Sequence, residues 1–169
     1  MEYNYIGIDP SFTRTGISII TKDGKLVFLT LSEKIGKKDF PNIYNSSKIL
    51  SNKLGNILLE YDPCKVVMEF APPVASMSPA LFSLDTLYAN TISDRLVELY
   101  HPMTLNKIIG LKKKSKADSI FAGKAVVEEL LSKGYSCSQK RISNDCYESL
   151  LYISYYLKQN NIWERLYKE

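Results

Sequence analysis

Ile6-Gly7-Ile8-Asp9-Pro10-Ser11-Phe12-Thr13-Arg14-Thr15-Gly16-Ile17-Ser18-Ile19-Ile20 is the stretch from which the rest of the chain takes its reading. Residues 3–8 are an unbroken run rich in Tyr and Ile, the pattern of a buried strand. Asp9-Pro10-Ser11 interrupts it with a turn signal, and residues 15–20 resume as a second strand. A carboxylate just past a buried strand is costly unless something compensates its charge. Asp9 is therefore either the capping acid of an ordinary hairpin or a group with chemistry to do. Arg14 is either a phosphate-contacting residue or a solvated turn residue.

The hairpin signal Lys22-Asp23-Gly24-Lys25 leads into a third strand over residues 26–31. Residues 32–42 are polar, contain Gly36, Lys37, Lys38 and Pro41, and read as a loop. A helix is expected over about 42–61, with Ile43, Leu50, Leu54, Ile57, Leu58 and Tyr61 on one face, and Asp62-Pro63 stops it. Residues 65–70 lack polar alternation after Lys65, which predicts a strand buried on both faces and central in the sheet. After Ala71-Pro72-Pro73 a long helix is expected over 79–99, more apolar around its circumference than one core-facing stripe requires. A short strand is expected near the start of 103–109, then a Lys-rich loop, a helix over 117–131 broken at Gly134, and a last helix capped by Ser143 or Asn144 and running to about 159. Trp163 and Tyr167 are expected to pack back on the domain. The order β-β-β-α-β-α-β-α-α predicts one α/β domain over 1–169: a mixed five-stranded sheet, an antiparallel meander plus parallel strands, flanked by helices. Strands one and four can then lie side by side and parallel, with their carboxyl ends at the sheet edge where such folds place ligands.

That topology brings Glu69, which ends Lys65-Val66-Val67-Met68, toward Asp9. Asp145 and Glu148, three apart at the start of the last helix, share a face, while Cys146, Leu150, Ile153 and Leu157 suit the core. Each acid has a plainer reading: a salt bridge for Glu69, and favourable placement at a helix N-terminus for the pair. Together they form a hard oxygen donor set of the kind that binds divalent cations. Two such ions could align water and stabilise both oxygens of an in-line phosphoryl displacement, so the first expectation is a metal-dependent phosphodiesterase. Lys112, Lys113, Lys114 and Lys116, with Lys107 before and Lys124 after, form a candidate phosphate-binding patch, or a solvated charge run.

Composition agrees without deciding the matter. The chain has 169 residues, is 45% hydrophobic and 24% charged, and carries a net charge of +4, which permits a nucleic-acid partner without demanding one. Cys64, Cys137 and Cys146 form no C-x-x-C pair, so they read as free thiols in a reducing compartment and not as a zinc site. His101, the single histidine, leaves almost no material for a His-based mechanism. Met1-Glu2 runs straight into strand-like sequence without a signal-peptide pattern, and no apolar stretch approaches the ~20 residues of a membrane span. A cytoplasmic protein is expected.

Taken together, these residues resemble the RuvC family of Holliday-junction resolvases, within the RNase H-like superfold, over roughly residues 3–160. Ile6 to Ser11 through Thr15-Gly16 resembles the family's opening motif, with Ser11 in place of its usual Gly. Val66-Val67-Met68-Glu69 resembles its second acidic strand, and Pro102, Lys107, Gly110 and the following lysines its Pro…Lys…Gly…Lys stretch. Asn144 to Leu150 resembles its terminal Asp-x-x-Asp helix, with Glu148 as the last acid. The resemblance implies a homodimer that binds four-way DNA junctions and makes paired nicks with magnesium or manganese, two ions per site. It implies Asp9, Glu69, Asp145 and Glu148 as metal ligands and catalytic residues, and Lys107 and Lys113 as DNA contacts. A Phe past the second acid opens the junction in the family; here Phe70 follows Glu69 directly, a departure that goes with a hypothesis of relaxed specificity, including forks and flaps. Helix 79–99 is the interface candidate. The compact chain resembles phage-encoded relatives, which would place it in a host cell's cytoplasm.

Three other readings compete. One is an RNase H-like nuclease acting on RNA–DNA hybrid, which needs contacts to the 2′-OH and no dimer. Another is a junction-binding architectural module with an inactive centre. The third takes Ile8 to Ser11 as a phosphate loop of an actin-like kinase or ATPase, for which 169 residues is short.

Overall fold

The computed structural model describes residues 1–34, 40–70 and 79–166. The elements run β1 (Asn4–Asp9), β2 (Thr15–Ile20), β3 (Leu26–Leu31), α1 (Phe40–Glu60), β4 (Cys64–Glu69), α2 (Pro79–Ile92), β5 (Leu96–Tyr100), α3 (Thr104–Ile109), α4 (Lys116–Ser132) and α5 (Asn144–Gln159), closing with a 3-10 turn at Trp163–Arg165. The loop centre at 35–39, the exit at Ala71-Pro72-Pro73 and Tyr167 lie outside the described residues.

The sheet order is β3-β2-β1-β4-β5, antiparallel within the meander and parallel from β1 through β5. This is the expected mixed sheet, with β1 beside β4. Gly24 supplies the positive φ of the β2–β3 turn, at 79°. Apolar residues alternate across β1 and β2, so the sheet has two buried faces. Ile6, Ile8, Ile17 and Ile19 pack against Leu50, Leu54 and Leu58 of α1 and Leu84, Tyr88 and Ile92 of α2. On the opposite face Tyr5, Ile20, Phe28 and Val67 pack against Leu150, Tyr152, Ile153 and Leu157 of α5, with α4 and Trp163 outside them.

The single helix expected over 79–99 is two elements. Ser93 and Asp94 favour a turn, and Arg95 closes it by donating its N–H to the Ile92 carbonyl at 2.8 Å. Leu96 to Tyr100 then pairs with β4, whose edge would otherwise lack partners. Leu96 and Leu99, which made the helix look over-apolar, are strand residues. With that edge filled, no strand forms near Met103: residues 104–109 coil into α3, which Gly110 ends in the left-handed region at φ 77°.

Two glycines set the depth at which α5 lies. A Cβ on Gly7 would come within 2.2 Å of the Ser149 carbonyl oxygen, and one on Gly16 within 2.2 Å of the Asp145 carbonyl carbon. The helix backbone therefore rests on the backbones of β1 and β2. Among the described residues, no helix is long and apolar enough to cross a membrane.

Candidate active site

Asp9 and Glu69 end β1 and β4, and the parallel register pairs Ile8 with Met68, one residue before each acid. Asp9 pairs with Gly16 on β2, and Gly16 is the residue on which Asp145 rests. Ser143 caps α5 by accepting the Cys146 N–H at 3.3 Å, which fixes the first turn carrying Asp145 and Glu148. The four acids of the sequence reading thus converge on the edge where β1 and β4 end.

Their electrostatics record the convergence. Asp9 is buried, and its carboxyl is pushed well above the usual carboxylate range, first by burial and then by Glu69, Glu148 and Asp145, with Lys114 opposing. Glu69 is raised by burial and by Glu148; the Tyr152 hydroxyl and Lys114 pull it back. Asp145 is raised by burial and Glu148, against Arg14 and Lys116.

Two carboxylates already have partners. Tyr152 donates its hydroxyl to Glu69 Oε2, and its ring stacks on Tyr100 at 5.4 Å. Glu148 Oε1 accepts from Lys114 Nζ, with which it forms an ion pair, and from Ser119 Oγ at 2.7 Å. The donor set is all oxygen and mutually repelling, so it fits a hard divalent cation by chemistry. As the side chains are placed, no group of three or more Asp, Glu, His or Cys among the described residues is gathered tightly enough to hold an ion. Lys114 supplies positive charge to Asp9, Glu69 and Glu148, and Arg14 and Lys116 supply it to Asp145.

The other expected contacts separate. Lys107, Lys112, Lys113 and Lys116 are exposed, whereas Lys114 turns inward. Lys107 Nζ lies 5.9 Å from the centre of the Tyr155 ring. Phe70 is half-buried and packs on the α1–α2 side of the sheet, with its N–H donated to the Tyr100 carbonyl at 2.8 Å. Arg14 is exposed at the mouth of a cleft beside Asp145.

The sequence reading missed Tyr152 and Ser119 at this site. Tyr152 stands four residues after Glu148, one helical turn along the same side of α5. Ser119 follows a capping box formed by Ser115 and Asp118, which anchors α4 immediately after Lys114. That S-x-x-D signal was available in the sequence.

No family model matches the chain, and no curated protein matches its sequence. Solved structures do match. T. thermophilus RuvC in complex with a Holliday junction substrate superposes with a TM-score of 0.63 at 11% identity, covering 95% of this chain and 97% of that one. A second Thermus thermophilus RuvC structure superposes with a TM-score of 0.58 at 14% identity, covering 94% and 97%. The chain has a RuvC-like, RNase H-like α/β fold.

Proposed function

We propose that this chain is a structure-selective endonuclease that hydrolyses phosphodiester bonds in branched DNA, four-way junctions above all. In this reading Asp9, Glu69, Asp145 and Glu148 hold magnesium or manganese, two ions per site. The observation that carries it is the buried Asp9 carboxyl, set among three further carboxylates at the open edge of adjacent parallel strands. Bound divalent cations would compensate that charge and polarise the phosphoryl oxygens. Hydrolysis adds water across one P–O bond and leaves a hydroxyl on one strand end and a phosphate on the other.

The chain's own residues do the positioning. Tyr152 orients Glu69, while Ser119 and Lys114 orient Glu148. The exposed Lys107, Lys112, Lys113 and Lys116 would hold backbone phosphates, which fixes register without reading sequence. Branched DNA as substrate draws support from the fold shared with a RuvC bound to a Holliday junction substrate. A homodimer would offer two sites to a two-fold symmetric junction. On α2, Leu84, Tyr88 and Ile92 are fully buried within the monomer, so the surface left for such a contact includes Phe82, 42% exposed.

The test is cleavage of a labelled four-way junction, a fork and a linear duplex, with and without magnesium, beside Asp9→Asn. Paired, metal-dependent nicks in the branched substrates, absent in Asp9→Asn although that variant still binds the junction, are the expected result. Cleavage retained by Asp9→Asn overturns the site. Binding without cleavage in any divalent metal overturns the enzyme.

A further inference from the structure

A cleft of about 500 Å³ opens beside the acids, between the β1–β2 turn, β3 and the segment that leads into α5. Its polar walls are Arg14, Thr30, Gln139, Arg141 and Ser143. Both arginines are exposed, and among the described residues neither forms an ion pair with a carboxylate within 4.0 Å. Two guanidinium groups that line one cleft without a carboxylate ion-pair partner leave their N–H donors available to an anion bound there. The planar guanidinium fork matches the oxygens of a phosphate, which it can bind through two parallel hydrogen bonds.

The walls are held in place. Arg14 sits in a turn closed by Thr15, whose hydroxyl accepts the Ser11 N–H at 3.1 Å and donates to the Ser11 carbonyl at 2.8 Å. Arg141 follows a segment laid along the edge of β3. Leu26 donates its N–H to the Ser136 carbonyl at 2.8 Å, and the Gln139 amide takes both the N–H and the carbonyl of Phe28 at 2.6 Å. Ser143 then caps α5. Arg141 is thus carried between two fixed points, two residues from each.

Position decides what the cleft takes. Arg14 acts on Asp145 from this side, while Lys116 acts on Asp145 and Lys114 pairs with Glu148 from the α3–α4 side. The acids lie between two cationic surfaces, one of arginines and one of lysines. A strand lying across the acids would meet positive charge on both sides of the bond to be cut.

We infer that the Arg14–Arg141 cleft is a phosphate subsite that holds a backbone phosphate of the cleaved strand, on the side of the acids opposite the Lys112–Lys116 loop. The inference rests on the nuclease reading above. A free inorganic phosphate shares this chemistry, and the test separates the two.

Arg14→Ala, Arg141→Ala and, as a remote exposed cation, Lys48→Ala are compared with the parent chain in EDTA. Binding of a four-way junction and of a short single-stranded oligonucleotide is measured across a salt series. Each arginine variant is expected to lower the slope of log K against log salt by about 0.9 on the junction and about 0.7 on the single strand. Lys48→Ala is expected to leave it unchanged, and melting temperatures should match the parent's. Unchanged slopes in both arginine variants, with junctions still cut, overturn the cleft and leave the nuclease reading standing. Arginine-dependent slopes on single strands in a chain that cuts nothing leave the cleft standing and overturn the nuclease reading. Calorimetric binding of orthophosphate that requires both arginines, with DNA slopes unchanged, makes this a free-anion site and overturns the strand assignment. No binding to either DNA overturns both.

Discussion

Asp9 is the residue at which fold and chemistry oppose each other. Its folded carboxyl holds a proton more readily than the same group in the unfolded chain, because burial and three neighbouring acids disfavour the charge. Between the ordinary carboxylate range and the raised value, the native state binds more protons than the unfolded one. Asp9's contribution is therefore fully present below the ordinary value and is lost as pH rises through the raised one. Asp9→Asn should raise neutral-pH stability by about 1 kcal/mol, or roughly 2–4 °C for a chain of this size, with the gain over the parent growing as pH rises out of the ordinary carboxylate range. Thermal melts from pH 4 to pH 8 check this; a lower melting temperature for Asp9→Asn would contradict it. Asp9 and Glu69 were legible in the sequence because each ends an apolar strand. Lys114 was not distinguishable from Lys112, Lys113 and Lys116 by composition. Which lysine turns inward is set by the capping box at Ser115 and by Ser119, a tertiary arrangement.

At the scale of elements, the meander, the central β4 and the cap of α5 could be read directly, since each has a short-range signal. The border between α2 and β5 could not. Leu96 and Leu99 keep the helical spacing of the residues before them, and only the unfilled edge of β4 converts the segment to strand. The same scale contains the two tight seats of α5, on Gly7 and on Gly16, each within 2.2 Å of an added Cβ. Gly16→Ala puts a methyl where the Asp145 backbone lies, so the first turn of α5 must lift. Overpacking of this kind costs about 1–3 kcal/mol. Displacing a positioned acid by an ångström costs roughly a further hundredfold in rate. A urea midpoint and a single-turnover cleavage rate, measured on the same preparation, should both fall. A lower midpoint with an unchanged rate would show that Asp145 does not need this seat.

For the whole molecule, the two faces of the sheet carry separate cores, and the acids sit where both end. The closing segment is tied to the second core: Trp163 is buried and donates its indole N–H to Glu129 Oε1 at 2.5 Å. The expectation that Trp163 packs back holds, and the acid that receives it lies on α4.

The seating of α5 on the glycines of β1 and β2 has one more consequence, for cooperativity. A helix whose backbone touches strand backbone has no partial detachment that keeps the sheet intact and dry, so the acids and the fold should open as one unit. Amide exchange of Ile8 and Leu150 should then report the same opening free energy as global denaturation, and a smaller value for Leu150 would show that α5 frays alone. A centre built this way has no local melting by which to be silenced. Under the proposed function, restraint of cleavage would have to act on the Arg14–Arg141 and Lys112–Lys116 surfaces, leaving the acids in place.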